Sequence, residues 1–197
     1  MKRRAYRMKK RADSEAQMRL RITRSIVALH GTLGPSRTSI SSIAKHARVP
    51  RSTVYRHFPN EEALFTASTG HWLAANPFPD LRPWAPLQNR DERLRMVLRE
   101  LYPYYRKTQR MFENVLRDEE TMPILNQMLG GYRRYVGDAR KILMQGHGQP
   151  PSARRRIHAA LGHALAFLTW RSLAVDQELN DNESAELMIL LCRANSK

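Results

Sequence analysis

Residues 38–64 read TSISSIAKHARVPRSTVYRHFPNEEAL, and the pattern within them decides the fold. Ile40, Ile43, Ala44 and Ala47 recur at the spacing of one helix face, and Ser39 stands before them as an N-cap. Arg48-Val49-Pro50 makes a tight joint, with Pro50 placed where a helix begins without needing its N–H. The next helix, Arg51 to about His57, has only Val54 and Phe58 to bury. Arg51, Ser52, Thr53, Tyr55, Arg56 and His57 are left for another partner. A short helix with so small an apolar face and so many hydrogen-bonding side chains suits insertion into a polar groove, and the DNA major groove is the foremost candidate. Asn60 then opens a further helix, with Glu61 and Glu62 at the positive end of its dipole.

The segments Ile43-Ala44, Ser52-Thr53-Val54-Tyr55-Arg56-His57-Phe58-Pro59-Asn60 and Ala63-Leu64 carry a resemblance. Over roughly residues 14–70 the chain resembles the helix-turn-helix of the tetracycline-repressor (TetR) family of bacterial regulators. The resemblance implies an all-α fold of about nine helices, a three-helix head followed by a helical ligand-binding and dimerisation body. It implies a homodimer on double-stranded DNA, reading a near-palindromic operator, and a small-molecule inducer that releases a repressor. By position, Arg51, Ser52 and Thr53 would face base edges, and Tyr55 and His57 would hold phosphates. Ser39 would cap or touch a phosphate, Ser41 would sit near the groove, and Arg56 would reach a base or the backbone. Two residues depart from the family pattern. Arg48 stands where glycine is usual, so the turn asks a side chain to accept φ > 0. Glu61 stands where a lysine usually meets a phosphate, which removes that contact.

Charge points the same way. The chain has 197 residues and a formal net charge of +16. Residues 1–60 hold 15 Lys/Arg against 2 Asp/Glu, a net of +13, and residues 61–197 hold 19 against 16, a net of +3. The excess therefore lies with the helix-turn-helix, the footprint of a nucleic-acid module. One cysteine, Cys192, excludes an internal disulfide and a multi-cysteine zinc site. No apolar run approaches the ~20 residues that span a bilayer, and the basic N-terminus lacks the apolar core of a secretion signal. The expected location is the cytoplasm, with no membrane partner and no cofactor.

The expected organisation is a basic disordered arm over 1–12, a helix-turn-helix domain over 13–59, a linking helix over 60–76 and a ligand and dimerisation domain over 77–197. A first helix from about Asp13 to His30 would turn Ala16, Leu20, Thr23, Ile26, Val27 and His30 inward. The proline-rich stretch 76–86 reads as an irregular boundary loop. A helix from near Asp91 should kink or break at Pro103, with a short helix from Gln109 to about Glu119. A longer one is expected from near Met122 to Gln145, and the last two over 152–174 and 182–194.

The last two helices are apolar around much of their circumference. A helix of that kind must be covered on more than one side, either as a fully interior helix of one chain or by a second copy. The second reading is favoured and puts Ile157, Leu161, Leu165, Leu168, Met188, Ile189 and Cys192 at a dimer interface. In the body, Leu98, Tyr102, Tyr105, Phe112, Met128, Tyr132, Phe167 and Trp170 supply the apolar and aromatic groups from which a ligand pocket is built, and they serve equally as plain core. An enzyme is not expected. His158 and His163 are five apart, off the i, i+4 face used by helical metal ligands. No glycine loop cradles a phosphate, and no Ser, His and Asp arrangement surrounds a nucleophile. Two alternatives remain at this level: a weakly specific, architectural nucleic-acid binder driven by the basic arm, and a helical partner-binding protein that does not bind DNA.

Overall fold

A computed structural model of the chain describes residues 2–194 and has no strand among them. Two compact units emerge, one of Met1–Pro77 with Glu113–Met128 and one of Phe78–Phe112 with Leu129–Lys197. The division differs from the contiguous 77–197 body read from the sequence, because 113–128 groups with the head. That segment contributes Leu125 to the head's buried core and several hydrogen bonds described below.

The first unit contains α1 (Lys2–Thr32), a 3₁₀ turn (Pro35–Arg37), α2 (Ile40–Ala47), α3 (Arg51–His57) and α4 (Glu61–Ala75). It also takes the last residues of α5 (Arg90–Glu119) and all of α6 (Pro123–Met128). The arm expected to be disordered is instead helical from Lys2 onward, continuous with the rest of α1. No glycine or proline interrupts residues 2–30, and Ala, Arg, Lys, Met, Glu and Gln dominate them, all good helix formers. Arg11 and Glu15 add an i, i+4 pair at 3.3 Å. The charge pattern had suggested repulsion, but solvated side chains on a helix surface spread it.

Ile22, Ile26 and Leu29 of α1 pack with Ile43, Ala44 and Ala47 of α2, Val54 of α3, Phe58, and Leu64 and Phe65 of α4. Thr23 and His30 are buried as expected, whereas Ala16 and Leu20 are exposed. The inward stripe of α1 begins only at the partly buried Met18, so its first turns carry no core. Each core side chain of this size contributes roughly 1.5–3 kcal/mol on burial. Asn60 caps α4, its Oδ1 accepting from the Ala63 N–H at 2.8 Å.

The end of α5 is bonded to the turn after α1. Asn114 Nδ2 donates to the carbonyls of His30 and Gly31 at 2.9 and 3.1 Å, and Arg117 Nη2 donates to that of Leu33 at 3.1 Å. The Asp118 carboxylate accepts from the Ser36 N–H at 2.9 Å and pairs with Arg117. Gly34 is needed here: its φ is 95°, and a Cβ would overlap the Arg117 guanidinium.

The second unit holds residues 90–112 of α5, then α7 (Gly130–Leu143), α8 (Pro151–Ala164), α9 (Phe167–Arg171) running into a π turn (Ser172–Asp176), and α10 (Asp181–Ala194). Three expectations are corrected. Pro103 does not break α5, because it and Arg99, whose carbonyl loses its bond, are both exposed to water. The helix expected over 122–145 is interrupted at Leu129, just before Gly130-Gly131, where helix propensity is weakest. The helix expected over 152–174 breaks at Leu165-Ala166. There the freed backbone is satisfied by tyrosines. Tyr102 and Tyr105 hydroxyls donate to the carbonyls of Ala164 and Leu165 at 3.0 and 2.6 Å, and the Phe167 N–H donates to the Tyr132 hydroxyl at 3.2 Å.

Candidate nucleic-acid interface

The joint between α2 and α3 is built from backbone constraints. The Ser39 hydroxyl accepts from the Ser42 N–H at 3.1 Å and starts α2. Arg48 ends it in the left-handed region, φ 52° and ψ 53°, its N–H returning to Ala44 and Lys45. The positive φ expected at this position is therefore present on a residue with a side chain. Left-handed strain of about 1–2 kcal/mol exceeds the extra chain entropy of glycine, about 0.5–1 kcal/mol. Arg48→Gly is accordingly expected to stabilise the fold by about 0.5–1 kcal/mol, visible as a raised melting temperature. Arg48→Ala, which keeps the Cβ, should give no such gain.

On α3, Val54 and Phe58 are fully buried and anchor the helix. Arg51, Ser52, Tyr55 and Arg56 are exposed, Thr53 and His57 half-buried, and Ser39, the N-cap of α2, and Ser41 in its first turn are exposed. All eight candidate contact residues thus lie at or near the surface on one short stretch. Residues 16–60 contain eight Lys/Arg and no Asp or Glu, so no carboxylate within the segment offsets its positive potential. A field of this kind raises encounter rates with a polyanion.

Arg19 of α1 was not singled out by the sequence pattern. Its guanidinium lies over the Phe58 ring, 4.3 Å from the centroid, and donates to the His57 carbonyl. A cation there suits the negative end of the α3 dipole and holds the helix C-terminus to α1. Its spacing from Ile22 and Ile26, on the same face, was the available signal. Burial, followed by the charges of Arg56 and Arg19, holds the His57 imidazole below its usual pKa. At neutral pH it is therefore an uncharged hydrogen-bonding group.

The body residues separate by place. Tyr105, Phe112, Tyr132, Phe167 and Trp170 pack ring on ring, with centroids between 5.0 and 6.4 Å, and Leu98 and Tyr102 are buried in the same unit. Met128 does not join them; it packs against the core of the first unit. The residues assigned to a dimer interface are corrected more heavily. Ile157, Leu161, Leu165, Met188, Ile189 and Cys192 are buried within the single chain. Only Leu168 faces out, 63% exposed, and Leu190 and Leu191 join it as exposed large apolar side chains. The many-sided apolar pattern marked interior helices, whose outer face is narrower than their composition suggested. Burial also raises the Cys192 thiol to about 11, leaving it protonated and unreactive.

Among the described residues, no helix is long and apolar enough to cross a membrane, and no group of three or more His, Cys, Asp or Glu is placed to hold a metal. Residues 22–67 match the sequence profile of the bacterial regulatory proteins of the tetR family. A search of curated protein sequences gave no match. Among solved structures, the chain is similar to a candidate fatty acid metabolism regulator of Clostridium perfringens, with a TM-score of 0.64, 16% identity, and 89% of this chain and 97% of that one covered. It is similar to a TetR-like transcriptional regulator from Rhodococcus sp. RHA1, with a TM-score of 0.62, 17% identity and coverage of 89% and 93%. A multidrug binding protein, EbrR, crystallised with imidazole, gives a TM-score of 0.54 at 20% identity, covering 89% of each chain. At these identities the structures speak for the fold, and the profile match speaks for the head. Residues 22–67 thus carry the head segment of the bacterial tetR regulatory proteins, and the fold of the chain is that of the solved structures named above.

Proposed function

We propose that the chain is a sequence-specific DNA-binding repressor that acts as a homodimer on a near-palindromic operator and is released by a small-molecule inducer. The observation that carries the reading is α3 itself. Two buried anchors, Val54 and Phe58, hold a helix whose remaining face is Arg51, Ser52, Tyr55 and Arg56, in a segment without carboxylates. Arg51 at the start of the helix would make a bidentate contact to guanine, and Tyr55 and His57 would donate to phosphates. In a two-fold dimer, Leu168, Leu190 and Leu191 are the apolar groups available for covering. The inducer would enter among the aromatic residues of the second unit, which requires their packing to open. It shifts the operator-binding state only if it binds the two states with different affinity.

Arg51→Ala is expected to weaken binding to the cognate operator by about 1–3 kcal/mol and to relax preference at the contacted base. Binding to random DNA of equal length should hardly change, since that rests on phosphate contacts. Titrations of duplex DNA from upstream of the protein's own gene, at two salt concentrations, measure both. Equal losses on cognate and random DNA would reject base readout by Arg51. The basic first turns of α1, seven Lys/Arg in residues 2–11, favour one competing reading, a weakly specific binder dominated by charge. Its mark would be a steep salt dependence shared by every DNA.

A further inference from the structure

Outside the head, the second unit carries a groove of about 800 Å³ lined by α7, α8 and the loop joining them. Arg140, Lys141, Arg154, Arg155 and His158 line it, and Met144 and Pro151 supply an apolar part. No lining residue is acidic. Lys141 is neutralised by Asp138 at 2.8 Å. Arg140, Arg154 and Arg155 have no carboxylate at ion-pair distance among the described residues.

The groove's charge is also placed against local electrostatics. α8 opens with Pro151-Ser152-Ala153-Arg154-Arg155-Arg156, with no acidic residue in its first turn and no side-chain cap at Pro150. Arginines at the positive end of a helix dipole are disfavoured unless an anion is present. His147, in the loop before α8, sits among further cations of the same unit. Burial first, then the charge of Arg90, holds its imidazole below the usual pKa against an upward pull from Gln149, with Arg93 and Arg154 adding smaller downward contributions. The unneutralised cations thus converge on one concavity, while their stems and Met144 leave it partly apolar.

We propose that this groove binds a small molecule carrying two or more linked phosphate groups, with its organic part against Met144 and Pro151. Guanidinium groups pair bidentately with phosphate oxygens, and three of them stand uncompensated here. A monocarboxylate would neutralise one and leave two, whereas a diphosphate matches the charge that is present. The site is separate from the aromatic cluster and from α3, so it stands or falls apart from the repressor reading.

The test is calorimetric titration of the full chain with inorganic pyrophosphate in about 150 mM KCl, where non-specific attraction is screened. A saturable site, one per chain, is expected. The double variant Arg140→Gln/Arg154→Gln should weaken it by about tenfold or more, and Arg155→Gln, at an exposed position, should weaken it severalfold. Lys45→Gln/Arg56→Gln removes the same charge from the head and should leave pyrophosphate affinity unchanged. Pyrophosphate should also raise the melting temperature of the parent chain and not of the Arg140/Arg154 variant, and circular dichroism shows whether each variant is folded. Equal weakening by the groove and head variants, or heats that never saturate, would overturn the proposal and leave an ion atmosphere on a basic protein.

Discussion

Phe112→Ala is expected to destabilise the second unit by about 3–5 kcal/mol, the range for truncating a buried aromatic ring. Phe112 is 4% exposed, and its ring meets Tyr104, Tyr105, Tyr132 and Phe167 at centroid distances of 6.3, 5.7, 5.0 and 5.1 Å. Removing it leaves a void among rings that cannot simply close in. Tyr105 and Tyr132 are tied by their hydroxyls to each other at 3.0 Å and to the backbone at the break between α8 and α9. Collapse into the void would pull those hydroxyls away and strand a buried carbonyl, at a further cost of about 1–3 kcal/mol. Phe112→Leu, which keeps most of the volume, should lose roughly half as much or less. Urea unfolding followed by tryptophan fluorescence, in a Trp72→Phe background, reads this unit directly, since Trp84 and Trp170 belong to it and Trp72 to the first unit. A loss below about 1 kcal/mol would show that the cluster relaxes freely around a gap. A void there has a functional use as well. If the inducer enters among these rings, Phe112→Ala should widen the range of aromatic compounds that release the operator.

The second large effect is a dependence of stability on pH carried by His30. Its imidazole is 6% exposed and stacked on Phe65 at 5.1 Å. Burial lowers its pKa from 6.5 to about 4, with the Asp118 charge pulling weakly the other way. The folded chain therefore keeps His30 neutral down to about pH 4, while the unfolded chain protonates it below about 6.5. Between those values the unfolded state binds more protons, so stability falls as pH falls, by about 1.4 kcal/mol per unit. The full loss is about 3 kcal/mol, complete near pH 4, with no contribution from this group above about pH 7. His30→Phe removes the titration and should flatten the slope of unfolding free energy over that window. An unchanged slope would assign it to other groups. Asp118 acts in a lower window. Burial pushes its carboxyl up, but the bonds from Arg117 and Ser36 prevail and leave it below the ordinary carboxylate range. Its contribution is present above the unfolded pKa and disappears only in stronger acid.

Residues 38–64 determined the helix-turn-helix by themselves. The apolar stripe of α2, the caps at Ser39 and Asn60, the positive φ at Arg48 and the buried pair Val54 and Phe58 are all local matters. They depend on residues at most four apart, a range at which side-chain spacing states which face is inward. The polar face of α3 was legible for the same reason, as the remainder after the anchors were taken away. For Arg19 only the face was legible, from its spacing to Ile22 and Ile26; its partner His57 is 38 residues distant in the chain, and spacing carries no information at that range.

In the body the sequence determined only that helices would form and that they would be rich in apolar groups. Which apolar groups were interior was settled by neighbours. Ile157, Leu161, Met188, Ile189 and Cys192 lie inside one chain, and Leu168, Leu190 and Leu191 lie outside it, a sorting that composition cannot make when a helix is apolar on several sides. The break at Leu165-Ala166 shows the reason most directly. No proline or glycine marks it, and an unpaired carbonyl there would disfavour it in an isolated helix. It persists because Tyr102 and Tyr105, sixty or more residues earlier, supply the missing donors. A local propensity favoured one long helix, and hydrogen bonds available only in the folded unit turned it into two.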